Sequence, residues 1–254
     1  MIPDDVPAVP VRLWHASSSS SDAGPIEQFC EDCLDESERT RADRFRQPTS
    51  RNQHVIGRGM ARRLLGVGDI SPAAISFDTE TFGKPFVTGP DVARRPFNVA
   101  HTDGLVVCGI ADPSDWLVGV DVECLNRRTD PALADRYFSK PEIDYLKQYR
   151  NESDRRNAFL RVWTLKESFI KAIGTGLQTP LADFAFEDID SPCPTIRMLD
   201  PKLHSDRQWQ FFSITPRQGF IGAIAVASET GTAKPTIELH SFDDWVGAQS
   251  SKQS

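Results

Sequence analysis

The chain has 254 residues, 39% of them hydrophobic and 26% charged, enough for one large globular domain or two small ones. A net charge of −7 excludes a general nucleic-acid binder, and no apolar run approaches the roughly 20 residues needed to cross a bilayer. The opening MIPDDVPAVP lacks the basic start and apolar stretch of a signal peptide, so a cytoplasmic location is expected.

Val11–Trp14 reads as a short strand, and Ala16–Gly24 (ASSSSSDAG) as a flexible loop. Cys30 and Cys33 form a CxxC pair, but no second pair and no nearby histidine completes a metal site. The five cysteines are therefore expected to be unpaired thiols in a reducing compartment. From Arg39 to Arg63 the chain carries eight arginines opposed only by Asp43. Two readings are open here, a solvated helical face and an anion site suited to arginine's planar fork.

The chain then echoes itself. Gly57–Asp78 (GRGMARRLLGVGDISPAAISFD) and Lys166–Asp188 (KESFIKAIGTGLQTPLADFAFED) each read as a helix, a G-x-G, a proline four residues on, and a short strand. Gly66/Gly68 and Gly174/Gly176 suit the left-handed turn that stops a helix, and Pro72 and Pro180 keep it stopped. Downstream, Phe97–Ala111 and Phe211–Ala227 both read as strand, tight turn, strand. The expectation is an α+β fold of two similar α/β halves, 1–116 and 117–240, related by a pseudo-twofold axis. The active site would lie in the cleft between them, with 241–254 as a flexible tail. One chain supplies both halves, so a monomer is expected.

In the second half, Trp116–Glu123 alternates valine and acid, which makes a strand with Asp121 and Glu123 on one face. Such a pair is either an exposed polar edge or a repulsive couple resolved by a hard divalent cation such as magnesium. Asp154–Ile173 (DRRNAFLRVWTLKESFIKAI) has apolar residues at helical spacing, with Trp163, Glu167 and Lys171 on one face. Glu167 and Lys171 are a surface ion pair in one reading. In the other they face inward, where Glu167 completes a metal site and Lys171 neutralises phosphate. In the first half, Phe82-Gly83-Lys84-Pro85 places a lysine in a turn, and His101-Thr102 is read at a hairpin turn after Asn98.

GVDVE at 119–123, FSKPE at 138–142 and WTLKESFIKAIGTGL at 163–177 resemble the signature of the 4′-phosphopantetheinyl transferases. The resemblance is nearest to the surfactin-synthetase-activating type. FGKP at 82–85 and FNVAHTDG at 97–104 are similar to that family's first-half motifs, in order, and the whole covers roughly residues 40 to 227.

The resemblance implies transfer of 4′-phosphopantetheine from coenzyme A to a serine of an acyl or peptidyl carrier protein, leaving adenosine 3′,5′-bisphosphate. It implies magnesium held by Asp121, Glu123 and Glu167, with Asp121 and Lys171 also at the coenzyme A pyrophosphate. Arg62, Lys84, Pro85, His101 and Thr102 would hold the adenosine end, chiefly its 3′-phosphate. Glu167, Lys171 and Glu142 carry the catalytic assignments. Ala100 stands where the family often has serine, which removes one hydroxyl donor to that phosphate. Pro131–Tyr149, with Tyr137 and Leu146, is the candidate carrier contact by position. The rival readings are a magnesium-dependent pyrophosphate hydrolase and a non-enzymatic module that binds coenzyme A or a carrier.

Overall fold

The computed structural model describes residues 6–229 and 233–250. In chain order the first elements are β1 (Ala8–Ser17), α1 (Pro25–Glu31), α2 (Glu36–Ala42), α3 (Pro48–Leu65), β2 (Ser76–Thr79), β3 (Pro85–Gly89), β4 (Phe97–Thr102) and β5 (Leu105–Ala111). There follow β6 (Leu117–Cys124), α4 (Ala134–Tyr137), α5 (Lys140–Lys147), α6 (Glu152–Ile173), β7 (Phe184–Glu187) and β8 (Thr195–Met198). The chain ends with β9 (Arg207–Ile214), β10 (Phe220–Glu229), β11 (Lys234–Ser241) and α7 (Phe242–Ser250). No helix among the described residues is long and apolar enough to cross a membrane.

These elements form two compact units. An arginine-rich unit comprises Pro10–Ser114 with Ile237–Ser254, and a carboxylate unit comprises Met1–Val9 with Asp115–Thr236. In the first, the sheet order is β11-β1-β5-β4, and β5 pairs antiparallel with both of its neighbours. Val55, Ile56, Met60 and Leu65 of α3 pack with Phe97, Val106, Cys108 and Ile110 of the sheet to form the core. In the second, the order is β6-β10-β9, all antiparallel, and α6 supplies Phe159, Leu160, Leu165 and Phe169 to a core with Phe211, Ala223 and Ala225.

The echo in the sequence is an echo in topology. From β1 to β5 and from β6 to β10 the chain runs strand, short helices, long helix, two-stranded hairpin and two more strands, and the last of these, β5 or β10, lies between the other two sheet strands of its stretch. The helix stops differ in detail. Gly174 ends α6 in the left-handed conformation at φ 72°, whereas Gly66 stays extended after α3 and the left-handed turn falls at Gly68, φ 62°. His101 and Thr102 lie within β4 rather than in the hairpin turn, which is made by Asp103-Gly104 with Gly104 at φ 84°.

The expected flexible tail at 241–254 requires correction over its described part. β11 adds to the edge of β1, and α7 then lays Phe242, fully buried, into the core of the arginine-rich unit. Asp243 accepts hydrogen bonds from the Ser17 backbone N at 3.0 Å and from its Oγ at 2.6 Å, and Trp14 stacks on His240 at 4.6 Å. The unit therefore does not stop at residue 116 but also takes in α7, and residues 251–254 lie outside the described residues. Phe242→Ala is expected to cost about 3–5 kcal/mol in urea unfolding, the range for deleting a buried aromatic ring. An unchanged midpoint would restore the tail to a dispensable role.

Candidate active site

The carboxylate unit brings α6 onto the face of β6 that carries Gly119, Asp121 and Glu123. A Cβ at Gly119 would stand 2.0 Å from Ser168 O and 2.3 Å from Ala172 N, so helix and strand backbones are nearly in contact there. Its cross-strand partners add little bulk, because Gly119 pairs with Ala225 and Asp121 with Ala223. α6 is itself well formed. Asn151 Oδ1 accepts from Ser153 N at 2.8 Å as the cap, and Glu152 and Asp154 occupy the positive end of the helix dipole.

This closeness places Lys171, one turn past Glu167, directly on Asp121. Lys171 Nζ donates to Asp121 Oδ1 at 2.6 Å, while Asp121 Oδ2 is buried without a hydrogen-bond partner. Burial pushes the Asp121 carboxyl above its ordinary value, against the opposing pull of Lys171. Glu167 is raised too, first by burial and then by the charge of Asp121, with Lys171 again opposing. Asp121, Glu167 and Lys171 thus form one electrostatic group. Glu123 is buried on the same strand face and ion-paired to Arg127.

Among the described residues no group of three or more His, Cys, Asp or Glu is arranged to hold a metal ion. The donor chemistry nonetheless fits a hard divalent cation. An unpartnered buried carboxylate oxygen on Asp121 and a mutually repelling Glu167 call for positive charge, and Glu123, here taken by Arg127, would be the third oxygen donor.

Glu142 is placed elsewhere. Its Oε2 accepts from Ser139 N and Oγ at 3.1 and 2.7 Å, and its Oε1 accepts from Phe186 N at 2.9 Å. Lys166 Nζ lies 2.7 Å from the same carboxylate and also donates to the carbonyls of Leu181 and Phe184 at 2.6 and 2.8 Å. Both side chains have no exposed surface, so Glu142 has no access to a substrate proton, and the catalytic expectation for it is corrected to a brace. Burial pulls the Lys166 ammonium down to about 8, with Glu142 pulling it back up. Trp163 stacks on Phe159 at 6.0 Å and serves packing.

Arg62 also requires correction as an adenosine-end residue. Its side chain is 1% exposed and spent internally. Nε donates to Glu38 and Nη2 to Asp35, at 2.7 and 2.6 Å, and Nη1 donates to the Ile75 carbonyl at 2.7 Å. One turn earlier on α3, Arg58 shares Glu38 at 2.7 Å and lies over Phe77, and its outer side lines a cavity of about 270 Å³ between α3 and β4. Arg41, His54, Pro85 and His101 line the same cavity, and His54 Nε2 is buried there without a partner. Lys84 and Thr102 are not in that lining. Lys84 is half-buried in the β2–β3 turn, where burial lowers its ammonium to about 8 against the pull of Glu80, and Thr102, which follows His101 in β4, is buried. The i, i+4 spacing of His54 and Arg58 was the available sequence signal for this lining.

A family profile described as the 4′-phosphopantetheinyl transferase superfamily matches residues 117–225. The 4′-phosphopantetheinyl transferase HetI of Nostoc sp. is 32% identical over 201 residues, covering 76% of this chain and 78% of that protein. The chain belongs to the 4′-phosphopantetheinyl transferase superfamily, a family of enzymes. A 4′-phosphopantetheinyl transferase of Bacillus subtilis is 29% identical over 163 residues, covering 64% of this chain and 70% of that protein. The crystal structure of Thermotoga maritima holo-[acyl-carrier-protein] synthase shares 23% identity over 44% of this chain and 63% of that one; its TM-score of 0.34 is too low to bear on the fold. The profile match in this transferase family spans β6, α6 and most of β10, the elements that carry Asp121, Glu123, Glu167 and Lys171.

Two outcomes follow from these charges. The folded chain binds the Asp121 proton more tightly than the unfolded chain does. The charged carboxyl therefore costs stability above its raised value and nothing below the ordinary carboxylate range. In chelator at pH 7, Asp121→Asn is expected to unfold at a slightly higher urea concentration than the parent, with the gap closing as the pH falls to about 4. A gap that widens on acidification would contradict the burial of this charge. Lys166→Met, which strands Glu142, is expected to cost about 3–5 kcal/mol, and adding Glu142→Gln, which removes the stranded charge but keeps an acceptor for Phe186 N, should recover part of it. No recovery in the double variant would show that the pair does more than brace.

Proposed function

We propose that this chain transfers 4′-phosphopantetheine from coenzyme A to a serine of an acyl or peptidyl carrier protein, with magnesium, releasing adenosine 3′,5′-bisphosphate. The observation that carries the reading is Lys171 on one oxygen of Asp121 while the other oxygen is buried and unpartnered, with Glu167 alongside. Asp121, Glu123 and Glu167 would hold the cation, which supplies charge neutralisation at the pyrophosphate when bound.

The chain's own residues supply the rest. Lys171 gives positive charge to the phosphate oxygens and to the departing bisphosphate. Glu167, the carboxylate beside Asp121, is the base for the serine proton as the serine Oγ–P bond forms and the P–O bond to the bisphosphate breaks. Arg41, Arg58, His54 and His101 suit the anionic adenosine end, and the half-buried Lys84 is a further donor. Of the residues assigned to carrier contact, Tyr137 and its neighbour Leu133 are exposed and available, whereas Leu146 is buried and is withdrawn. A reducing, cytoplasmic setting agrees with five cysteines held as thiols, and a monomer with one chain carrying both residue sets.

Mass spectrometry of apo-carrier proteins incubated with enzyme, coenzyme A and magnesium is expected to show the gain of one phosphopantetheine group. Lys171→Ala should lower the rate by about a hundredfold or more, the loss typical of removing a preorganised charge stabiliser. No gain on fatty-acid, polyketide and peptide-synthetase carriers alike would end this reading. Coenzyme A hydrolysis in the absence of any carrier would favour a hydrolase.

A further inference from the structure

Arg127 belongs to none of the motifs, yet it is seated in the carboxylate group. The chain turns immediately after β6, Arg127 N donating to Cys124 O at 2.9 Å, and this folds the guanidinium back onto Glu123. Its charge also favours the ionised form of Asp121. Three carboxylates, Asp121, Glu123 and Glu167, therefore meet two cations of the chain itself, and each cation is ion-paired to one of the strand carboxylates.

The two halves of the Arg127 pair differ in their freedom. The Glu123 side chain is 8% exposed and held near the end of β6, where the backbone is paired with Ile221 of β10, whereas the Arg127 side chain is 48% exposed on a turn. Glu123 cannot follow Arg127 outward, and a nearly buried carboxylate is strongly destabilised when its counter-charge leaves unreplaced. Arg127 can leave at little cost, because its guanidinium is already half in water. The pair therefore opens readily only when another cation takes its place at Glu123. A guanidinium released at that point carries a planar donor fork beside the position expected for a pyrophosphate.

We propose that Arg127 is an exchangeable counter-ion: it occupies Glu123 in the metal-free protein, yields that carboxylate to an incoming divalent cation, and then pairs with pyrophosphate oxygens of the bound coenzyme A. The exchange rests on the transferase reading of the same site. It makes metal and coenzyme A binding cooperative, since the cation frees the arginine that the anion uses. It also sets two effects of opposite sign on one residue, which a purely structural ion pair would not produce.

The test uses the full chain, with Mn²⁺ as the probe cation followed by the paramagnetic resonance of the free ion. Without coenzyme A, Arg127→Gln should bind Mn²⁺ about tenfold more tightly than the parent, as expected if the carboxylate is free only about a tenth of the time. With Mn²⁺ saturating, the same variant should bind coenzyme A about tenfold more weakly by calorimetry. The adjacent exposed Arg128→Gln, which removes the same net charge, should leave both constants near those of the parent. Unchanged or weaker Mn²⁺ binding in Arg127→Gln, or equal effects from Arg128→Gln, would overturn the exchange. So would a parent chain that binds no Mn²⁺. Carrier modification by the parent chain reads the transferase proposal separately, so either can fail while the other stands.

Discussion

The chemistry of the carboxylate unit depends on how closely α6 lies on β6 at Gly119. With a backbone carbonyl 2.0 Å from where a Cβ would stand, any side chain there would force the helix away. Closeness at this point is what converts two spacings into a site. Asp121 is two residues along the strand from Gly119, and Lys171 is next to Ala172, the other contact residue on the helix. The 2.6 Å ion pair between them is a direct consequence. With the helix further off, Asp121 and Glu167 would each be solvated, and the charge of Asp121 would no longer raise Glu167.

The ionisable groups of this protein divide by how completely they are satisfied. Arg62 with Glu38, and Lys166 with Glu142, are buried and have carbonyls, amides or a further carboxylate (the exposed Asp35) on their remaining donor and acceptor positions. A buried charge is tolerable only under those conditions, and such a group has nothing left to offer a ligand. The groups around Asp121 are different. One oxygen has no partner, two carboxylates repel, and both local cations are partly exposed. The same rule that makes the first set a scaffold makes the second set reactive, since its unmet demand for charge is what a cation and a phosphorylated ligand would meet.

Much of this was legible in the sequence, and the gaps have a physical pattern. The valine–acid alternation of β6 and the Trp163–Glu167–Lys171 face of α6 follow from local periodicity, and both elements formed as read. The repeat of helix, glycine, proline and strand carried the shared topology of the two units. What sequence did not show is where a charge points once neighbouring elements arrive. Arg62 and Arg58 are one turn apart in the same basic run, but only Arg62 meets Asp35, Glu38 and the Ile75 carbonyl together. Glu142 stands in a family-like motif, yet the amide that claims it belongs to Phe186, 44 positions away. α7 escaped notice because its buried anchor, Phe242, is set among polar residues and is recruited by a core built from the opposite end of the chain.

The account stands on the Gly119 contact as the origin of the site. Its most direct test is the rate of phosphopantetheine transfer by Gly119→Ala, measured beside the circular dichroism of the same sample. The account predicts native helix and strand content with transfer falling to the level of Lys171→Ala, because the helix that carries Glu167 and Lys171 has been pushed off the strand. Transfer at the parent rate would contradict it.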